Sequence, residues 1–156
     1  MQEFTVQRTS HTSDEVWFLE HEPAYTYGIK TSKDDIPENT QLPLLKSDRG
    51  GEITFHGPGQ LVIYPLLDLK RRSIKPREFI SKFQNAILIS LSDYQSNLII
   101  NNNDPGIYHE NKKLVSFGLK IAKKGTYHGA SINISMDLRP WNEVTICGND
   151  QTEAID

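Results

Sequence analysis

The run Arg49-Gly50-Gly51-Glu52-Ile53-Thr54-Phe55-His56-Gly57-Pro58-Gly59-Gln60-Leu61-Val62-Ile63-Tyr64-Pro65 constrains the fold more than any other part of this sequence. Its glycines and prolines bracket two short segments with strand character. Ile53 to Phe55 favours β structure, and Leu61 to Tyr64 is a continuous apolar run suited to a buried strand. His56-Gly57-Pro58-Gly59 between them is a turn, where glycine permits positive φ and close approach of a ligand to the backbone. The bend gathers Arg49, Thr54, His56 and Gln60 around one point, in a form that lines a pocket. A hairpin with a polar tip accounts for the same residues equally well, because Gly-Pro-Gly turns are common.

The remainder of the chain alternates strand-like runs with turns. Phe4 to Thr9 carries only a weak signal, of a helix end or a frayed segment. Val16 to Glu20 reads as a buried strand, Ala24 to Gly28 as a second, and Leu42 to Lys46 as a third. Lys30 to Gln41 is a polar surface loop. Phe79, Ile80, Phe83, Ala86, Ile87, Ser90 and Leu91 recur at helical spacing behind Pro76, which suits a first turn, so an amphipathic helix is predicted from about Pro76 to Ser92. Leu98 to Ile100 and Ile107 to His109 are strands flanking the Asn101 to Gly106 turn. Lys113 to Ile121 alternates as a half-buried strand, and Lys123-Lys124-Gly125 turns it back into Tyr127 to Ile134. Asp137 to Trp141 is a short turn or 3₁₀ segment. Hairpin-linked strands with one clear helix give α+β: a mixed, mostly antiparallel sheet with packed helices. The length, 156 residues, fits one domain, residues 1–156.

A formal net charge of −3 provides no basic field for nucleic acid. No apolar run approaches the roughly 20 residues a membrane-spanning helix needs, and Met1-Gln2-Glu3-Phe4 does not begin a secretory signal. The expectation is a cytoplasmic protein that binds neither nucleic acid nor membrane. The single cysteine, Cys147, forms no internal disulfide and no cysteine-cluster metal site. Taken alone it is a small buried apolar residue. No His, Cys, Asp and Glu set has convincing metal spacing.

Arg49-Gly50-Gly51, Thr54, His56-Gly57-Pro58-Gly59-Gln60 and Tyr64-Pro65 closely resemble the signature of the lipoyl(octanoyl) transferases, which belong with the biotin and lipoate protein ligases. The resemblance continues in order through Trp17 to His21, Gly106-Ile107-Tyr108, Lys113 to Leu119, Tyr127 to Ala130, Asn133 with Met136-Asp137-Leu138, and Cys147-Gly148. It implies a ligase-like catalytic domain with a Cys147 and Lys113 dyad, 34 residues apart as in the family. It also implies three strips along an acyl pocket: Arg49, Gly50, Gly51, Glu52, Ile53, Thr54, Phe55 and His56; Ser116, Phe117 and Gly118; Gly129, Ala130 and Ser131. His56 and His128 are read as groups supporting that pocket, and as ordinary surface or core histidines without the motif. The family usually starts further upstream and continues with a helix after the cysteine, so the domain is expected to be shortened at both ends. It also usually has proline before the cysteine and tyrosine after the glycine, where this chain has Ile146 and Asn149.

The physical chemistry of such a dyad is direct. Thioester exchange needs a thiolate, and a free cysteine is only a few per cent thiolate at neutral pH. A neighbouring ammonium favours the charged form and can then relay protons. A lysine that opens a strand after a turn is, by itself, solvated. The resemblance implies that octanoyl passes from the phosphopantetheine thioester of octanoyl-acyl carrier protein to Cys147. From there it passes to a lysine of lipoyl domains, in 2-oxoacid dehydrogenase complexes and the glycine cleavage H protein. No cofactor is called for, because a thioester is already activated. Lys70, Arg71, Arg72, Lys75 and Arg77 form a basic cluster that is either a docking patch for an acidic carrier protein or a solvated helix entry. Two other readings stay open. One is an ATP-dependent lipoate or biotin ligase of the same fold. The other is a non-catalytic module that binds acyl groups or carrier protein.

Overall fold

The structure is a computed structural model that describes residues 1–37, 40–101, 103–144 and 153–156. Two sheets organise it. A six-stranded antiparallel sheet has the order β1-β5-β9-β8-β7-β6, built from β1 (Glu15–Leu19), β5 (Gln60–Leu66), β6 (Ile99–Asn101), β7 (Gly106–His109), β8 (Lys112–Ala122) and β9 (Gly125–Asn133). A three-stranded sheet has the order β3-β2-β4, from β2 (Ala24–Tyr27), β3 (Leu44–Lys46) and β4 (Ile53–His56). In it β2 pairs antiparallel with β4 and parallel with β3. Two helices, α1 (Gln2–Gln7) and α2 (Pro76–Ser92), and 3₁₀ turns at Lys33–Asp35 and Arg139–Glu143 complete the described elements.

Helix α2 forms where its pattern predicts. Pro76 occupies its first turn, Lys82 pairs with Glu78 at 2.8 Å, and Phe79, Gln84 and Ile87 form its buried side. That side meets Ile63, Ile107, Val115, Ala130 and Ile132 of the large sheet in one apolar core. Period-two alternation then commits the neighbouring residues to the opposite face. The registers align Val62 with Ser131 and Ser131 with Ser116, and put Gly129 opposite Gly118. Those residues look toward the small sheet. A second core holds the small sheet's other face, with Tyr25, Ile53 and Phe55 against Met136, Trp141 and Val144.

Two expectations are corrected. The bend at His56 to Gly59 does not close a hairpin. Strand β4 stays in the small sheet while β5 enters the large one, so the turn carries the chain between sheets. Gly59, at φ +83, leaves room for no side chain: a Cβ there would lie 1.9 Å from the Ser135 carbonyl oxygen. Strand β1 is not buried. It is an edge strand pairing only with β5 in the sheet, and Phe18 is 65% exposed. A continuous apolar run does not distinguish an edge from a centre, because neighbours decide that.

Candidate active site

A cleft of about 570 Å³ lies between the sheets, lined by β2, β3 and β4 on one side and β5, β8 and β9 on the other. All three predicted strips reach it. Arg49, Gly51, Glu52, Ile53, Thr54 and His56 contribute from the first; Ser116, Phe117 and Gly118 from the second; Gly129, Ala130 and Ser131 from the third. Gly50 and Phe55 do not line it. Gly50 hydrogen-bonds to the Leu119 carbonyl at 3.0 Å. Phe55 alternates onto the far face of β4 and meets Trp141 edge-on, with centroids 6.2 Å apart.

Arg49 is nine-tenths buried and fixed by its donors. Its Nη2 donates to the Thr26 carbonyl at 2.7 Å and to Thr26 Oγ1 at 3.0 Å, and its Nη1 to the Gly50 carbonyl at 3.0 Å. The side chain lies across Gly118, where a Cβ would stand 2.8 Å from Arg49 Cδ. That glycine is required for close approach of the two sheets.

The hydrogen bonds also settle the tautomer of His56. Gln60 Nε2 donates to the Phe55 carbonyl at 3.2 Å and to Asn133 Oδ1 at 3.0 Å, so Gln60 Oε1 faces His56 Nδ1 at 2.7 Å as an acceptor. The proton therefore sits on Nδ1. Nε2 accepts from Thr26 Oγ1 at 3.3 Å, and that hydroxyl accepts in turn from Arg49. Burial pushes the His56 imidazole down to about 4; the Gln60 bond opposes the shift and the Arg49 charge adds to it.

Two further histidines face the cleft. His21 lies 2.7 Å from the Tyr64 hydroxyl, and burial lowers its pKa. Burial raises Tyr64 to about 12. His128 has φ 55, a backbone region costly for a non-glycine residue, and is held there by Asp48 Oδ1 at 2.8 Å. Burial lowers His128, with Asp48 opposing. Asp48 itself is raised by burial, but bonds from Tyr127, His128 and Gln2 outweigh this and hold it at about 2. Sequence reasoning did not assign His21, Tyr64, Thr26 or Asp48 to the site. His21 and Tyr64 belong to the segments that carry the family resemblance, which was the available signal.

Lys113 is not solvated: its side chain is 3% exposed. Its Nζ donates to Asp104 Oδ1 at 2.6 Å and lies 5.2 Å from the centre of the Tyr108 ring. Asp104 Oδ2 accepts from the Tyr108 hydroxyl at 2.5 Å. The Lys113 backbone is clamped as well. Its N–H donates to the Glu153 carbonyl at 2.7 Å, and its carbonyl accepts from Ile155 N–H at 3.0 Å. Cys147, the predicted nucleophile, lies outside the described residues, as do Ile146, Gly148 and Asn149. The described chain stops at Val144, packed beside cleft-lining Trp141, and resumes at Glu153 on Lys113.

The basic cluster resolves into two kinds of residue. Arg71 and Arg72 bind Asp14 at 2.7 and 2.5 Å, beside buried Arg8 at 2.8 Å. They brace the fold. For Lys70, Lys75 and Arg77, no ion pair is found among the described residues, and all three are exposed.

The comparisons with known proteins agree with this architecture. The family described as the lipoyl protein ligase A/B catalytic domain matches residues 1–154. The octanoyltransferase of Laribacter hongkongensis (strain HLHK9) is 45% identical over 148 residues, covering 95% of this chain and 72% of that protein. The octanoyltransferase of Coxiella burnetii (strain Dugway 5J108-111) is 42% identical over 148 residues, and the chain spans 61% of its length. Among solved structures, a bi-partite lipoate protein ligase from Thermoplasma acidophilum, studied with its E2 lipoyl domain, superposes with a TM-score of 0.67 at 16% identity, over 92% of this chain and 58% of that one. The last likeness concerns the fold; the family match and the identities establish that this chain belongs to the lipoyl protein ligase A/B catalytic domain family.

Proposed function

We propose that the protein transfers octanoyl from the phosphopantetheine thioester of acyl carrier protein to the lysine ε-amine of lipoyl domains, through a thioester on Cys147, in the cytoplasm. Octanoyl transfer in protein lipoylation is the activity its octanoyltransferase relatives carry, which makes the protein an acyltransferase. The carrier-protein donor and the covalent route are the finer part of the proposal. The observation that carries it is Lys113: a buried ammonium on β8, the strand that supplies Ser116, Phe117 and Gly118 to the cleft, with its backbone fastened to the segment that follows Cys147.

The steps balance. The Cys147 thiolate attacks the donor carbonyl, the carbon–sulfur bond to phosphopantetheine breaks, and Lys113 gives its proton to the departing thiolate. The acceptor amine then attacks the Cys147 thioester, Cys147 leaves as thiolate, and neutral Lys113 takes the proton the new amide sheds. The dyad returns to its starting state with no cofactor. The strips around Arg49, Ser116 and Gly129 hold the acyl chain.

Intact-protein mass after incubation with octanoyl-acyl carrier protein tests this. The expected result is a hydroxylamine-labile octanoyl adduct on the wild type that is absent from Cys147→Ala. A folded wild type with no adduct overturns the covalent route. The shared fold with a lipoate protein ligase favours one second reading, ATP-dependent ligation. That reading requires Cys147→Ala to remain active with octanoate and ATP.

A further inference from the structure

We infer that Asp104 is a positioning residue for Lys113, and that its carboxylate sets the pH range in which the dyad works. The inference rests on the dyad proposed above. It begins from local structure. Asn101 Oδ1 accepts from the N–H groups of Asn103 at 2.9 Å and Asp104 at 3.3 Å, which closes the turn and aims the Asp104 side chain back at β8. Pro105, next in sequence, lines the cleft. Gly106 follows, and a Cβ there would stand 2.8 Å from the Tyr108 ring and 3.0 Å from Lys113 Cε. The missing side chain is the space through which Lys113 reaches Asp104.

The carboxylate is held from both sides. One oxygen binds the Lys113 ammonium and the other the Tyr108 hydroxyl, while the Tyr108 ring flanks the same ammonium. The carboxylate and the ring thus fix one cation that has almost no contact with solvent. Asp104 supplies the counter-charge of the Lys113 ammonium and holds it in one place. It also places a negative charge beside Lys113, which would oppose loss of the proton from a thiol brought to that lysine.

Among the described residues, other charged groups near Lys113 are engaged elsewhere. Glu153, on the segment laid along β8, pairs with Lys112 at 2.8 Å, and Asp156 accepts from the Met136 N–H at 3.0 Å. His109, opposite Lys112 in the β7–β8 register, has its Nε2 3.8 Å from Glu110 Oε1 and donates from Nδ1 to the Ser96 carbonyl at 3.0 Å. Cys147 is the titratable group the mechanism brings to Lys113.

Because Cys147 is the single cysteine, its alkylation by iodoacetamide reads the thiolate directly. The rate is followed against pH for the wild type, Asp104→Asn, Asp104→Ser, Asp104→Glu and Lys113→Ala, with a thermal melt of each. Removing one adjacent negative charge moves the profile of Asp104→Asn and Asp104→Ser to lower pH by about one unit, a roughly tenfold faster alkylation on the acid side. Asp104→Glu keeps the wild-type profile, and Lys113→Ala moves it up. The alkaline limb of octanoyl-adduct formation shifts down with the neutral variants as well. A purely structural role lowers rates without moving either limb. If Lys113→Ala raises the profile while both neutral variants coincide with the wild type or move upward, the role given to Asp104 is overturned and the dyad stands. If Lys113→Ala leaves the profile in place, the dyad itself fails, and the inference with it.

Discussion

Single residues carry most of the chemistry here, and each has a distinct cost of removal. Lys113 is expected to act as acid in one half-reaction and base in the other. Lys113→Ala should therefore lower turnover by about 10²- to 10⁴-fold, the usual worth of a positioned proton donor and acceptor. A steady-state assay of octanoyl transfer to a lipoyl domain measures it, and a loss under threefold in a folded variant would contradict the role. Gly129 is needed for a different reason. It sits opposite Gly118 in the register, and a Cβ on it would come within 1.9 Å of the Ile63 carbonyl oxygen of the adjoining strand. Gly129→Ala forces β5 and β9 apart at the centre of the large sheet. The expected destabilisation is about 2–3 kcal/mol by denaturant titration, in the range of overpacked cores. A midpoint equal to wild type would show that the strands part freely.

At the scale of elements, the clearest joint is Asp14, just before β1. Its carboxylate accepts from Arg8 at the end of α1 and from Arg71 and Arg72 in the β5 to α2 connection, and also from the Asp68 N–H at 2.8 Å. The Arg8 side chain is 1% exposed, so Asp14→Ala leaves a buried guanidinium without its carboxylate. Breaking a buried pair from one side costs about 3–5 kcal/mol. Asp14→Ala should lose about 3 kcal/mol by equilibrium unfolding, and Arg72→Ala, whose side chain is half-exposed, under about 1 kcal/mol. Equal losses would place the strength of the joint at the surface rather than at Arg8. Much of this level was legible beforehand. Helix α2 announced itself by spacing and proline. The allocation of strands to sheets was not legible. Leu61 to Tyr64 and Ile53 to Phe55 have the same look whether they pair with each other or part company, because pairing depends on residues far along the chain. The same limit hid the burial of Lys113. A turn of asparagines and a proline gave no sign that Asp104 would fold back under a lysine nine positions later.

For the whole molecule, the placement of histidines predicts how stability responds to acid. His21, His56 and His128 come from three separate segments, yet all line one cleft together with the Arg49 cation. Their pKa values are depressed, that of His56 to about 4. An unfolded histidine titrates near 6.5, so between about pH 6.5 and 4 the unfolded chain takes up protons that the folded chain refuses. Folding stability must fall across that window as pH drops. His56 alone accounts for about 2–3 kcal/mol of the loss, since lowering a pKa by one is worth about 1.4 kcal/mol and water in the cleft screens part of it. Asp48 acts in another window. Held at about 2, it contributes stability above the ordinary carboxylate range that disappears only below about pH 4. Denaturant midpoints between about pH 7.5 and 3 should therefore decline in two stages. His56→Asn, which can keep a donor toward Gln60 but cannot take up a proton, should flatten the first stage and leave the second. A wild-type curve that is flat from about pH 6.5 to 4, or one that His56→Asn does not change, would mean that the cleft accommodates the imidazolium without cost. In the folded protein the His56 imidazole takes on charge only as the pH nears about 4, so the decline of octanoyl transfer from this source is expected at the acid end of the first window rather than across it.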